Sequence, residues 1–241
     1  MAQDGPRGWA APLHALALDR AGVGPGTRLL DLGCGSGEFA AAAAERGAVV
    51  TGIDADPAAV AAAAARVPGG EFRVGDAHEP PPGPFDVVAA VQLLMHAADP
   101  VSILRRSAAV APIVVITLWG RESECDLRAF GEALAQWLPP RPPPRRDPLP
   151  ITEPGRISRL VDLAGLHPIT TEDVDVPFHY PDADALVGPV LAAGIGTVAA
   201  RVAGPAAVRE ALLRRCAEYR TPDGGYRLVN RFHLLTARPR P

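Results

Sequence analysis

The chain has 241 residues and a formal net charge of −3, a length that suits one sizeable core with a modest cap and a charge that leaves no basic footprint for nucleic acid. All 24 basic residues are arginine, which excludes a lysine Schiff base or lysine general base. Cys34, Cys125 and Cys216 form no Cys-x-x-Cys pair and are odd in number, so neither a zinc site nor a disulfide framework is expected.

Residues 9–21 read as an amphipathic helix, and residues 22–26 as the loop into a first strand at 28–32. Three glycines spaced two apart follow that strand (Gly33, Gly35, Gly37), so the backbone can bend where a ligand lies against it. An Ala-rich helix is predicted over 38–46, its N-terminus facing whatever sits on the glycines. A second apolar run, 48–53, ends at Asp54, an acid at a strand tip that suits ribose hydroxyls. Asp56, just before Pro57 and another Ala-rich helix, reads as an N-cap. A third strand at 72–77 contains Asp76, a fourth spans 85–92, a helix spans 99–110, and a fifth strand spans 113–118. This alternation is the signature of a parallel sheet.

An apolar stripe formed by Leu127, Phe130, Leu134 and Trp137 predicts one helix over 122–138. Seven of the next twelve residues (139–150) are proline and three are arginine, the composition of a stiff exposed linker. Beyond it come a helix at 155–164, a strand at 169–178, a nearly all-apolar stretch at 183–203, a helix at 206–219 and a last strand at 226–237. Residues 1–20 lack the charged start of a secretion signal, and no run approaches the roughly 18 apolar residues of a membrane span. A cytoplasmic protein without membrane partners is expected.

The pattern Asp31-x-Gly33-x-Gly35-x-Gly37 departs from the dinucleotide fingerprint and resembles the class I S-adenosylmethionine-dependent methyltransferases, in particular the small-molecule group related to the ubiquinone and menaquinone methyltransferases. The resemblance is good over 9–119 and loose beyond. It implies an α/β, Rossmann-like three-layer sandwich: a mostly parallel seven-stranded sheet with an antiparallel last strand and a helical cap. The implied layout is a single methyltransferase domain over 1–241, with an N-terminal lid helix (1–22), a cofactor-binding core (23–118), a cap helix and linker (119–150), and a C-terminal part that completes the sheet and the acceptor lid (151–241). The implied cofactor is S-adenosylmethionine. Its methionine end would lie on Asp31, Gly33, Cys34, Gly35 and Gly37, its ribose on Asp54 with Ala55 beside it, its adenine against Asp76 and Ala77, and the backbone of Val91 and Gln92 would touch it.

The chain departs from the family in having Ala111-Pro112, not Pro-Gly-Gly, before the fifth strand. Methyl transfer is an in-line displacement governed mainly by orientation, so a base is helpful without being obligatory. His96, just past the fourth strand, is the candidate base. Trp9, His14, His96, Trp119, His179 and Tyr180 are the candidate acceptor contacts; the plainer role is a helix cap or packing for His96, a surface or core position for His14 and His179, and packing for Trp119. The activity expected is methyl transfer to oxygen, nitrogen or carbon of a small apolar acceptor such as a secondary metabolite, with no metal, as monomer or homodimer. The alternative is a cyclisation or isomerisation that binds the cofactor without transferring its methyl group.

Overall fold

The computed structural model describes residues 5–6, 8–140, 150–153, 155–192 and 194–240. Through the first half of the chain strand and helix alternate: α1 (Ala11–Arg20), β1 (Arg28–Leu32), α2 (Glu38–Glu45), β2 (Val49–Asp54), α3 (Pro57–Arg66), β3 (Glu71–Val74), β4 (Val87–Val91), α4 (Pro100–Val110) and β5 (Ile113–Trp119). Then follow α5 (Arg128–Leu134), α6 (Arg156–Leu163), β6 (Leu166–Tyr180), α7 (Ala183–Ala192), α8 (Gly194–Ala203), α9 (Pro205–Arg215) and β7 (Tyr226–Pro239). The strands form one seven-stranded sheet in the order β3-β2-β1-β4-β5-β7-β6. The first five pair in parallel, and β7 joins β5 antiparallel. Along β6 and β7 the side-chain pairs Asp175–Arg231, Asp173–His233 and Thr170–Thr236 run in opposite order, as antiparallel neighbours require.

By Cα proximity the chain divides into two compact units. The first, the sheet unit, holds Ala10–Trp119, Pro148–Val174 and Phe232–Pro241. Its central strands β1, β4 and β5 are apolar on both faces because both are covered. Leu30, Leu32, Val88 and Ile116 pack with Ile103 and Leu104 of α4 and Val161 of α6. The alternate residues Leu29, Val50, Val87 and Val115 pack with Ala17 and Leu18 of α1 and Phe39, Ala40 and Ala43 of α2. Thus α1, expected as a lid, covers a sheet face through fully buried Ala17 and Leu18. Asp56 caps α3, accepting from the Ala58 amide at 2.9 Å, and Asp99 caps α4 through Ser102 at 2.9 Å; each precedes a proline that lacks the amide a helix start cannot satisfy.

The second, helical unit holds Met1–Trp9, Gly120–Asp147 and Asp175–Arg231. Its core joins Leu134 of α5, Val187 of α7, Ala199 of α8, and Val208 and Leu212 of α9. The single helix expected over 122–138 is broken into a 3-10 turn at Glu122–Glu124, α5, and a second 3-10 turn at Ala135–Trp137. Asp126 and Leu127 are held instead by β7: the Asp126 carboxylate accepts from the Val229 amide at 2.7 Å, and the Leu127 amide donates to Asn230 Oδ1 at 3.1 Å. The described residues of 183–203 form α7 and α8, whose axes differ by 88°. Gly194, the first residue of α8, has a φ of +57° that few other residues adopt. Most of the proline-rich stretch, 141–149, lies outside the described residues. Among those described, no single helix is long and apolar enough to cross a membrane.

Candidate functional site

Asp31, the fourth residue of β1, is 1 % exposed, flanked in register by Gly52 on β2 and Ala89 on β4. Its Oδ2 is buried without a hydrogen-bond partner among the described residues. Loss of hydration, and secondarily the charge of Asp54, push its carboxyl up to about 8. A buried carboxylate with an open oxygen is a costly arrangement that a cationic donor would relieve.

The three glycines after β1 all have positive φ, at 67°, 52° and 79°, but their surroundings differ. A Cβ on Gly33 would meet Leu93 Cδ1 at 2.7 Å, and one on Gly37 would meet the Ala63 Cα of α3 at 2.8 Å. These two positions are closed by packing. A Cβ on Gly35 would meet nothing within 4 Å, so the bend is open there and bare backbone faces the space. Two contacts fix its shape: Asp54 Oδ2 accepts from the Gly35 amide at 2.9 Å, and Arg66 Nε donates to the Ser36 carbonyl at 2.8 Å. Arg66 carries no sequence signal for this, since it ends a helix thirty positions away.

Asp54 Oδ1 also accepts from the Asp56 amide at 2.9 Å, so both carboxylate oxygens are oriented by backbone and each retains a lone pair. Cys34, in the bend, is a buried thiol that burial pushes up to about 12, with the charges of Asp31 and Asp54 adding to the effect. Ala55 is exposed beside Asp54. The third strand stops at Val74, two residues short of Asp76. Asp76 is exposed and caps a turn, accepting from the His78 amide at 2.8 Å with His78 Nδ1 also at 2.8 Å, and these bonds hold its carboxyl below the usual range. Ala77 packs on the sheet core.

At the end of β4, Gln92 follows half-buried Val91 with φ +54°, a left-handed conformation that no other described non-glycine residue adopts. Thr117 of β5 holds it: the Gln92 amide donates to the Thr117 carbonyl at 3.0 Å, and Nε2 lies 3.2 Å from Thr117 Oγ1. Thr117 escaped the sequence reading, although a hydroxyl inside the apolar run of β5 is the signal that marks it. His96 ends the 3-10 turn Leu94–His96 and is exposed.

His14 is a core residue of the sheet unit, edge-on to Phe39 with ring centroids 5.3 Å apart, and burial holds it down at about 4. Trp119 is half-buried with its ring 4.4 Å from that of Phe232. Trp9, His179 and Tyr180 belong to the helical unit. There Trp9 packs on Phe178 at 4.8 Å, His179 is exposed, and the Tyr180 hydroxyl is raised by burial. Among the described residues no group of three or more His, Cys, Asp or Glu is placed to hold a metal ion.

A family model described as a methyltransferase domain matches residues 30–111, the segment that contains Asp31, the open bend, Asp54 and Gln92. The match covers 82 of the 241 residues. The ubiquinone biosynthesis O-methyltransferase of Pseudomonas aeruginosa strain LESB58 is 39 % identical over 102 residues, covering 39 % of this chain and 44 % of that protein. The chain therefore aligns with less than half the length of this curated relative. In three dimensions the structure resembles the 4+2 cyclase SpnF, with TM-score 0.58 and 22 % identity, covering 95 % of this chain and 81 % of that one. It also resembles a magnesium protoporphyrin IX methyltransferase of Synechocystis solved with S-adenosylhomocysteine, with TM-score 0.56 and 14 % identity, covering 96 % and 82 %. At these identities the likeness shows the fold alone: a Rossmann-like seven-stranded sheet whose last strand is antiparallel.

Proposed function

We propose that the chain is an S-adenosylmethionine-dependent methyltransferase acting on oxygen, nitrogen or carbon of a small apolar acceptor, a secondary metabolite being the expected kind. The observation that carries the reading is the unpartnered, fully desolvated Asp31 oxygen in the strand that leads into an open glycine bend inside a methyltransferase domain. The donor set fits the cofactor. Asp31 would take its ammonium and Asp54, through its remaining lone pairs, the ribose hydroxyls. Gly33, Cys34, Gly35 and Gly37 would line the methionine end, Ala55 would flank the ribose, Asp76 and Ala77 the adenine, and the Val91–Gln92 backbone the opposite edge. When bound, the cofactor supplies an electrophilic methyl group on a sulfonium.

The chain's own contribution is orientation, which is worth roughly 7–11 kcal/mol when the reacting atoms are well aligned. His96, exposed past β4, would accept the proton of an O–H or N–H acceptor. Trp119, Trp9, His179 and Tyr180 remain proposed acceptor contacts; His14, buried in the core, is a packing residue. A net charge of −3 supports a small-molecule enzyme over one acting on nucleic acid; a cytoplasmic location and a monomer or homodimer are part of the same proposal.

Titration calorimetry with S-adenosylhomocysteine tests the reading. The wild type should bind it and not NAD, and Asp31→Asn should weaken binding at least about 30-fold, the cost of deleting one partner of a buried charged pair. Equal binding by the two proteins, or preference for NAD, would reject it.

A further inference from the structure

Two buried side-chain oxygens have no partner among the described residues, Asp31 Oδ2 and Gln92 Oε1. The first belongs to an ionisable carboxyl in the proposed cofactor site. The second is neutral and lies elsewhere: β1 and β4 are in register at Asp31 and Ala89, so Gln92 stands three residues, or roughly 10 Å, further along the strand direction. It is therefore a separate unsatisfied acceptor, apart from the one the proposed ammonium would meet.

Gln92 is over-constrained for a residue with no purpose beyond packing. Its backbone is in the left-handed region, where a glycine would sit without strain. Its amide N–H is tied to Thr117, and the Nε2 end of its side chain is held by the hydroxyl of the same threonine. Thr117 is itself fully buried. The result is a carboxamide fixed at one end and unsatisfied at the other. Two positions on, and so on the same face of β5, half-buried Trp119 packs on Phe232 and offers an aromatic surface.

We infer that Gln92 is a specificity residue for the acceptor, its Oε1 accepting a hydrogen bond from a neutral hydroxyl or amine of a flat, apolar molecule, with Thr117 as its positioning residue. The inference rests on the methyltransferase reading. A carboxamide takes up no proton near neutral pH, so Gln92 selects and orients a donor and leaves proton removal to another group. Acceptors lacking the donor are disfavoured because they leave the buried oxygen unpaired.

The test uses the whole chain saturated with S-adenosylhomocysteine, with 2-naphthol and 2-methoxynaphthalene as paired probes followed by thermal shift and calorimetry. The wild type should bind the naphthol about tenfold more tightly than its methyl ether. Gln92→Met and Thr117→Val should lose that preference, Thr117→Val should bind S-adenosylhomocysteine within about twofold of wild type, and Thr117→Ser, which restores the hydroxyl, should recover the preference. No preference in the wild type, a preference that persists in Gln92→Met, or a tenfold loss of S-adenosylhomocysteine affinity in Thr117→Val would each overturn the assignment. Failure of the wild type to bind S-adenosylhomocysteine would instead reject the methyltransferase reading, and the inference with it.

Discussion

Replacing Asp31 with asparagine should change how stability depends on pH in a direction opposite to ordinary acid denaturation. The folded-state carboxyl titrates at about 8 against an ordinary value of 3.8, so between these limits the unfolded chain has lost a proton that the folded chain retains. Stability then falls as pH rises, by about 1.4 kcal/mol per unit, until the folded group ionises as well. His14 works in the other sense: its folded value of about 4 lies below the ordinary 6.5, so the unfolded chain binds the extra proton and stability rises with pH over that range. The two slopes oppose each other below pH 6.5, and Asp31 dominates above it. Subtracting the Asp31→Asn curve from the wild-type curve removes His14 from both. From pH 6.5 to 8 the wild type should lose about 1.5–2 kcal/mol more than the variant, equivalent to roughly 3–8 °C in Tm for a chain of this size. Urea unfolding followed by circular dichroism at pH 5, 6.5 and 8 measures this. Parallel pH curves for the two proteins would refute the claim that Asp31 is desolvated.

The other expectations follow the same geometry. At pH 7 Asp31 is largely protonated, so an ammonium ligand should displace close to one proton; the enthalpy of S-adenosylhomocysteine binding should then differ between phosphate and Tris buffers by about the difference between their ionisation enthalpies, and no difference would contradict the placement of the ammonium. Gly35→Ala enters open space, so it should cost only about 1–2 kcal/mol of stability for its φ yet reduce cofactor affinity at least about tenfold, whereas Gly37→Ala, which strikes α3, should lose more stability than Gly35→Ala by urea unfolding. Asp54→Ala removes the acceptor of the Gly35 and Asp56 amides and should cost about 1–3 kcal/mol by urea unfolding, in addition to lost ligand binding. If His96 takes the acceptor's proton, His96→Ala should lower kcat about 10²–10⁴-fold with S-adenosylhomocysteine affinity unchanged; an equal kcat would remove it from that role.

The sheet unit was legible because its signals are local. Both-face burial makes β1, β2, β4 and β5 read as apolar runs, and the Asp56-Pro57 and Asp99-Pro100 pairs mark where helices begin. The break in residues 122–138 was not legible: the apolar stripe is real, but Asp126 and Leu127 bond to Val229 and Asn230, about a hundred positions away. The same holds within the site. The glycines and acids could be found by spacing. That Gly35 alone faces open space, that Asp31 lacks a partner, and that Thr117 and Arg66 brace Gln92 and the bend depend on atoms from other elements.

The most direct measurement is a crystal structure of the chain grown with S-adenosylhomocysteine. The ligand's ammonium should lie within about 2.7–3.2 Å of Asp31 Oδ2, with its ribose hydroxyls on Asp54. An ordered ligand that leaves Asp31 Oδ2 unpartnered, or an adenosyl group bound away from the Gly35 bend, would contradict it.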